Sequence, residues 1–188
     1  MERNPHYFWA VRLPNDVKQS IYEPFNEMKS IFPFKRWVHK EDYHITLAFL
    51  GAVDPAKLNE TINIVGDSIQ SEESFPLQIE EINIFGNKKS PRVFLAGINH
   101  EERLHQLQEN VYRQCIQAGY SLDTRAYHPH ITLARKWAGS NFTHDLLQKY
   151  NPFDTPISFI VKDVVLYQTH LEKSPKYEQI ATFSLLGE

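Results

Sequence analysis

Apolar positions recur along this chain with two periods, and the changes from one to the other mark the expected elements. Tyr7-Phe-Trp-Ala-Val-Arg-Leu13, an aromatic and β-branched run ended by Pro14, predicts a strand. Asn15 or Asp16 is placed to cap a helix running toward Ser30, with Val17, Ile21, Phe25 and Met28 near helical spacing and Pro24 as a kink or interruption. Trp37-Val38 and His44 to Leu50, stopped by Gly51, predict a second extended region. Asp54-Pro55 then opens a helix with Leu58, Ile62, Val65 and Ile69 on one side. Phe75 to Phe85 and Arg92 to Ile98 predict two strands joined by a turn bearing Lys88 and Lys89. Glu101 to Ala118 repeats Leu104, Leu107, Val111 and Cys115 at three or four residues, with Gly119 as the carboxyl-terminal cap. His130 to Arg135 predicts a strand and Phe142 to Tyr150 a short helix. Phe159 to Leu171 and Tyr177 to Leu186 predict a closing pair of strands.

The order of elements begins again near residue 101, and no linker rich in Ser, Gly or Pro divides the halves. This predicts an α+β fold, one domain over residues 1–188 built of two similar lobes. A net charge of −3 argues against a protein that coats long nucleic acid, because such binding neutralises many phosphates with Lys and Arg. Any contact with nucleic acid is therefore expected to be local. The single cysteine, Cys115, makes neither an intramolecular disulfide nor a thiolate metal site by itself, which points to a reducing compartment. The amino terminus lacks the basic start and apolar run of a signal peptide, and no stretch reaches the length of a membrane span. A soluble, cytoplasmic monomer is the expectation.

Residues 44–48 and 130–134 both read His-Ile-Thr-Leu-Ala. Nine His and eight Thr in 188 residues make a single His-x-Thr triplet unremarkable, at about 0.4 occurrences by chance. One copy is ordinarily a histidine satisfied by a neighbouring hydroxyl; two copies inside the same pentapeptide imply internal duplication. On a strand, residues i and i+2 share a face, so each His stands beside its Thr while Ile45, Leu47, Phe49, Ile131 and Leu133 face the core. If a pseudo-twofold brings the lobes together, two His and two Thr converge on one cleft. Opening a cyclic phosphate needs a base on one side and an acid on the other, which two imidazoles supply near neutral pH. Thr hydroxyls can donate to the non-bridging oxygens that carry charge in the transition state. No metal or other cofactor is called for.

On these motifs the chain resembles the 2H phosphoesterase superfamily, and more closely the bacterial RNA 2′,3′-cyclic phosphodiesterases, also called 2′-5′ RNA ligases. The stretches that carry the resemblance are Tyr7-Phe-Trp-Ala-Val-Arg-Leu-Pro14, Trp37-Val38, Tyr43-His-Ile-Thr-Leu-Ala-Phe-Leu-Gly51, Pro129-His-Ile-Thr-Leu-Ala-Arg135, Val165-Leu-Tyr and Tyr177-Glu. The resemblance implies a bilobal fold of two antiparallel sheets with flanking helices, related by a pseudo-twofold around a central cleft. It implies hydrolysis of RNA 2′,3′-cyclic phosphate ends, or of small cyclic nucleotides, to a 2′-phosphomonoester. It makes His44 the proton donor to the leaving 3′-oxygen and His130 the acceptor that activates water, with Thr46 and Thr132 holding the phosphate. Arg135 falls where the family places a phosphate-contacting arginine, although strict alternation puts it on the face away from Thr132, so a bend in the strand is needed. Tyr7, Phe8 and Tyr167 are the candidates for contact with the nucleoside: one face of the first strand can offer a stacking surface while the other enters the core, and for any single aromatic there the core is the commoner place. Around Tyr167-Gln-Thr-His170 and Lys173-Ser-Pro-Lys176 the sequence departs from its relatives, which leaves base preference open.

His128-Pro-His130 has no carboxylate or cysteine at a recognisable ligand spacing, so a metal pair is the weaker reading. Lys88-Lys89 with Arg92, and Arg125 with Arg135 and Lys136, either steer an RNA end or simply solvate turns. The rival functions are a phosphodiesterase for another cyclic or 2′-linked nucleotide and a non-catalytic module that binds RNA ends.

Overall fold

The structure is a computed structural model that describes residues 5–187. In chain order its elements are β1 (His6–Arg12), α1 (Asn15–Glu27), β2 (Phe34–Trp37), β3 (His44–Ala52), α2 (Pro55–Ile69), β4 (Phe75–Asn87) and β5 (Ser90–Ile98). They continue with α3 (Glu102–Gln117), β6 (His130–Trp137), α4 (Asp145–Lys149), β7 (Ile157–Val161), β8 (Asp163–Thr169) and β9 (Tyr177–Ser184). No helix among the described residues is long and apolar enough to cross a membrane.

The helices form where period and caps agree. Asp54 accepts from the Ala56 N–H and Pro55 begins α2, which buries Leu58, Thr61, Val65 and Ile69. α3 buries Leu104, Leu107, Val111 and Cys115, the stripe read from the sequence. It ends in a Schellman arrangement: Gly119, at φ +84°, donates to the Ile116 carbonyl and Tyr120 to that of Cys115. α1 runs through Pro24, because burial of Val17, Ile21 and Phe25 spans the one hydrogen bond that proline removes. α4 starts later than its pattern suggested, since the Phe142 N–H is committed to the Lys89 carbonyl of the β4–β5 turn.

The two antiparallel sheets expected are the halves of one nine-stranded antiparallel sheet with flanking helices, here called its lobes. One lobe holds β3-β1-β8-β9 and the other β7-β4-β5-β6, with β2 added to β6. The two halves of the sheet join through a single pair, Ile45 on β3 opposite Ile131 on β6. The lobes are not the two halves of the chain. β2 leaves the first half to pair with β6, and the expected strand Phe159–Leu171 breaks at Lys162, so β7 closes one lobe and β8 opens onto the other. Trp9, Phe25, Phe32, Phe94 and Ile131 lie in the continuous core beneath both lobes.

Candidate active site in the cleft between the lobes

β3 and β6 lie side by side at the middle of the sheet and carry the two His-x-Thr motifs. Each strand has the same irregularity. Ala10 pairs with Thr46 and Trp9 with Ala48, leaving Leu47 unopposed; Leu95 pairs with Thr132 and Phe94 with Ala134, leaving Leu133 unopposed. These β-bulges reverse the alternation of side chains. Two successive buried residues follow each Thr, and the fifth residue after each His returns to the cleft face. The bulge is the bend that Arg135 needed to share a face with Thr132. In the first copy it has the opposite effect on an expectation: Phe49, read as core, is 55% exposed on the cleft side.

The carbonyls freed by the bulges are satisfied from elsewhere in the chain. Val38 N–H donates to the Leu133 carbonyl at 2.9 Å, and Gln108 Nε2 donates to that of Leu47 at 3.3 Å. Next to it, the half-buried Tyr127 donates its hydroxyl proton to the Thr46 carbonyl at 2.9 Å, tying the segment before β6 to β3.

Both imidazoles are oriented alike. His44 Nδ1–H donates to the Asp42 carbonyl and His130 Nδ1–H to that of His128, each at 2.7 Å. A carbonyl oxygen only accepts, so the proton of each neutral ring sits on Nδ1 and Nε2 carries the free lone pair. His44 Nε2 accepts from the Thr46 hydroxyl at 3.1 Å.

Their surroundings differ. Burial lowers the His44 pKa to about 4, opposed by the bond to Asp42 and reinforced by the positive fields of His130, Arg135 and Lys18. Burial also lowers that of His130, again with Arg135 contributing. The same guanidinium acts on Tyr177, so Arg135 reaches both motifs and the wall beside them. His44 is enclosed by aromatic rings: Phe8 at 4.8 Å between centroids, Tyr177 edge-on at 5.3 Å and Tyr167 at 6.1 Å. Around His130 one aromatic ring, Phe85, stands edge-on at 4.9 Å and is itself 38% exposed.

His44, Thr46, His130, Thr132 and Arg135 thus share one cleft face. The three aromatic candidates are all buried. Tyr7 packs into the main core with Trp9 and Val11, because its neighbour Phe8 takes the cleft face and strand alternation sends Tyr7 the other way. Phe8 is on the cleft side but only 3% exposed, its ring covered by His44, Tyr167 and Tyr177. It therefore supports the histidine and offers no open stacking face. Tyr167 lies in the same small cluster, and burial pushes its hydroxyl up to about 12. Among the described residues no group of three or more His, Cys, Asp or Glu converges as metal ligands, and His128 serves through its backbone carbonyl.

A groove of about 1030 Å³ runs from Thr46 and His130 past Phe49 and Phe85 toward α3 and the 121–128 segment. Sequence reading missed Phe49, Phe85, Tyr127 and Asp42. Aligning the two pentapeptides and reading on by one residue would have set Phe49 against Arg135; the others carry no signal of their own.

Paired His-x-Thr strands facing one cleft between two antiparallel lobes define the 2H phosphoesterase class. Within that class the model of the 2'-5' RNA ligase superfamily matches residues 17–173, and the chain belongs to that family. It is 42% identical over 186 residues to a protein of Geobacillus stearothermophilus named RNA 2',3'-cyclic phosphodiesterase, covering 98% of this chain and 59% of that protein. A Bacillus subtilis protein of the same name is 36% identical over 96% of this chain and 97% of its own length. Among solved structures, E. coli LigT complexed with 3'-AMP superposes with a TM-score of 0.80 at 23% identity, over 98% of this chain and 100% of that one.

Proposed function

We propose that the protein hydrolyses RNA 2′,3′-cyclic phosphate ends to 2′-phosphomonoesters by two-histidine acid–base catalysis without a metal. The observation that carries this reading is the pair of imidazoles on adjacent strands, each anchored through Nδ1 to a backbone carbonyl and each flanked by a Thr hydroxyl. His130 Nε2 takes a proton from water as its oxygen bonds to phosphorus. The P–O3′ bond breaks, and His44 Nε2–H protonates the departing 3′-oxygen. Thr46, Thr132 and Arg135 hold the non-bridging oxygens, where the charge resides. In the empty cleft both imidazoles are neutral near pH 7, their pKa values lowered as described. An anionic phosphate between them favours the protonated form, so binding the substrate loads His44 with the proton it must deliver. The names of the relatives support the substrate, and the two-copy geometry supports the mechanism.

The test is a short RNA ending in 2′,3′-cyclic phosphate, with the product read by ³¹P NMR. Conversion to a 2′-phosphate is expected; a 3′-phosphate product, or no turnover, would contradict the proposal. We also propose a cytoplasmic monomer, for which light scattering should return about 22.0 kDa and not twice that mass.

A further inference from the structure

Asp42 is 4% exposed, and yet it is ionisable and sits two residues before His44. Its carboxylate oxygens lie 3.1 to 3.2 Å from the backbone N–H groups of Lys176 and Tyr177, far along the chain at the start of β9. Its own carbonyl accepts from His44 Nδ1. One residue therefore grips the histidine with its backbone and the segment beside the histidine with its side chain. Tyr177, held in this way, packs edge-on against both His44 and Phe8, the latter at 4.8 Å and 80°.

The second copy has half of this arrangement. His128 stands two residues before His130 and offers the same carbonyl, but its side chain is exposed, makes no backbone clamp and, among the described residues, touches only Phe85, at 6.5 Å between centroids. Phe85, the aromatic beside His130, is partly open to solvent. A buried carboxylate held by amides is a costly way to fasten a loop that apolar packing would fasten as well. That cost falls beside the histidine that three aromatic rings surround.

We propose that Asp42 is a positioning residue for His44, closing an aromatic cover of Phe8, Tyr167 and Tyr177 over its imidazole by clamping the start of β9. The inference rests on the proposed acid role of His44: the cover keeps bulk water from the ring that must hand its proton to the leaving oxygen. The groups that face this imidazole are Lys18 from α1, His130 and Arg135 from β6, Tyr167 from β8 and Tyr177 from β9. Releasing Tyr177 leaves the cations in place and admits water, which lifts the desolvation that depresses His44.

The experiment is an NMR pH titration of the histidine rings in the wild type, Asp42→Asn, Asp42→Ala and Tyr177→Ala, with His44→Ala and His130→Ala to assign the signals. The His44 midpoint is expected to rise by about one pH unit in Asp42→Ala and in the same direction in Asp42→Asn, with His130 unmoved. Tyr177→Ala should reproduce the rise, and adding it to Asp42→Ala should add nothing further. In turnover, kcat should fall about tenfold with KM within about twofold of wild type. A folded Asp42→Asn protein whose His44 titrates as in wild type, or whose two histidines shift together, overturns the proposal. If Asp42→Ala does not fold, the volume-conserving Asp42→Asn carries the test alone. The titration needs no substrate, so it fails or succeeds independently of the hydrolytic reading.

Discussion

The two His-Ile-Thr-Leu-Ala copies have the same backbone and different neighbours. Both strands bulge at the leucine, both rings donate Nδ1–H to the carbonyl two residues back, and both return their next residue to the cleft. That next residue is Phe49 in one copy and Arg135 in the other. His44 lies under three aromatic rings and His130 beside one. The repeated motif thus gives a symmetric frame, and the flanks make its two ends chemically unequal, as the proposed reaction with an entering and a leaving group requires.

Removing either histidine should have the largest effect. His44→Ala and His130→Ala are each expected to lower kcat/KM for a cyclic-phosphate RNA about 10³-fold, and retention of more than a tenth of the wild-type rate by either would break the pairing. Next comes the residue after the bulge. Arg135→Ala should cost about 100-fold, mainly in kcat, while Phe49→Ala should cost about threefold; equal losses would mean the bulges do not differentiate the copies. The electrostatic contrast is sharpened by calorimetry of a 2′-phosphomonoester at pH 6 in buffers of different ionisation heat. Uptake of about one proton on binding is expected, because both histidines have lowered pKa values when free and face an anion when occupied. A buffer-independent heat would contradict it. The same shifts fix a sign for stability. The unfolded chain binds protons on these histidines at higher pH than the folded one, so stability present above about pH 6.5 should decline as the pH falls toward 4. The smallest effect is expected for Tyr127→Phe, which leaves the Thr46 carbonyl beside the first bulge without its donor: about 1–2 kcal/mol, or roughly 3–6 °C in Tm.

The asymmetry was the part that sequence could not supply. α2 and α3 were readable because spacing and caps agree, and the repeated pentapeptide marked both strands and both His-x-Thr pairs. A bulge, by contrast, is set by how neighbouring strands pair, and β3 meets β1 across 31 or more intervening residues. Nothing in His-Ile-Thr-Leu-Ala-Phe announces that Leu47 will be skipped, so Phe49 was assigned to the core. The partition of strands between lobes was hidden for a similar reason: residues 159–171 are nearly continuously extended, and only long-range pairing shows β7 and β8 parting at Lys162. Nothing in the local sequence marks Asp42, because its amide partners lie at Lys176 and Tyr177.

The most direct test of the two-histidine account is turnover of an RNA ending in 2′,3′-cyclic phosphate in the presence of EDTA, with the wild type run beside His44→Ala and His130→Ala. The account predicts an undiminished wild-type rate and near-complete loss in both variants. A wild-type rate that collapses in EDTA and returns with added divalent metal would contradict it.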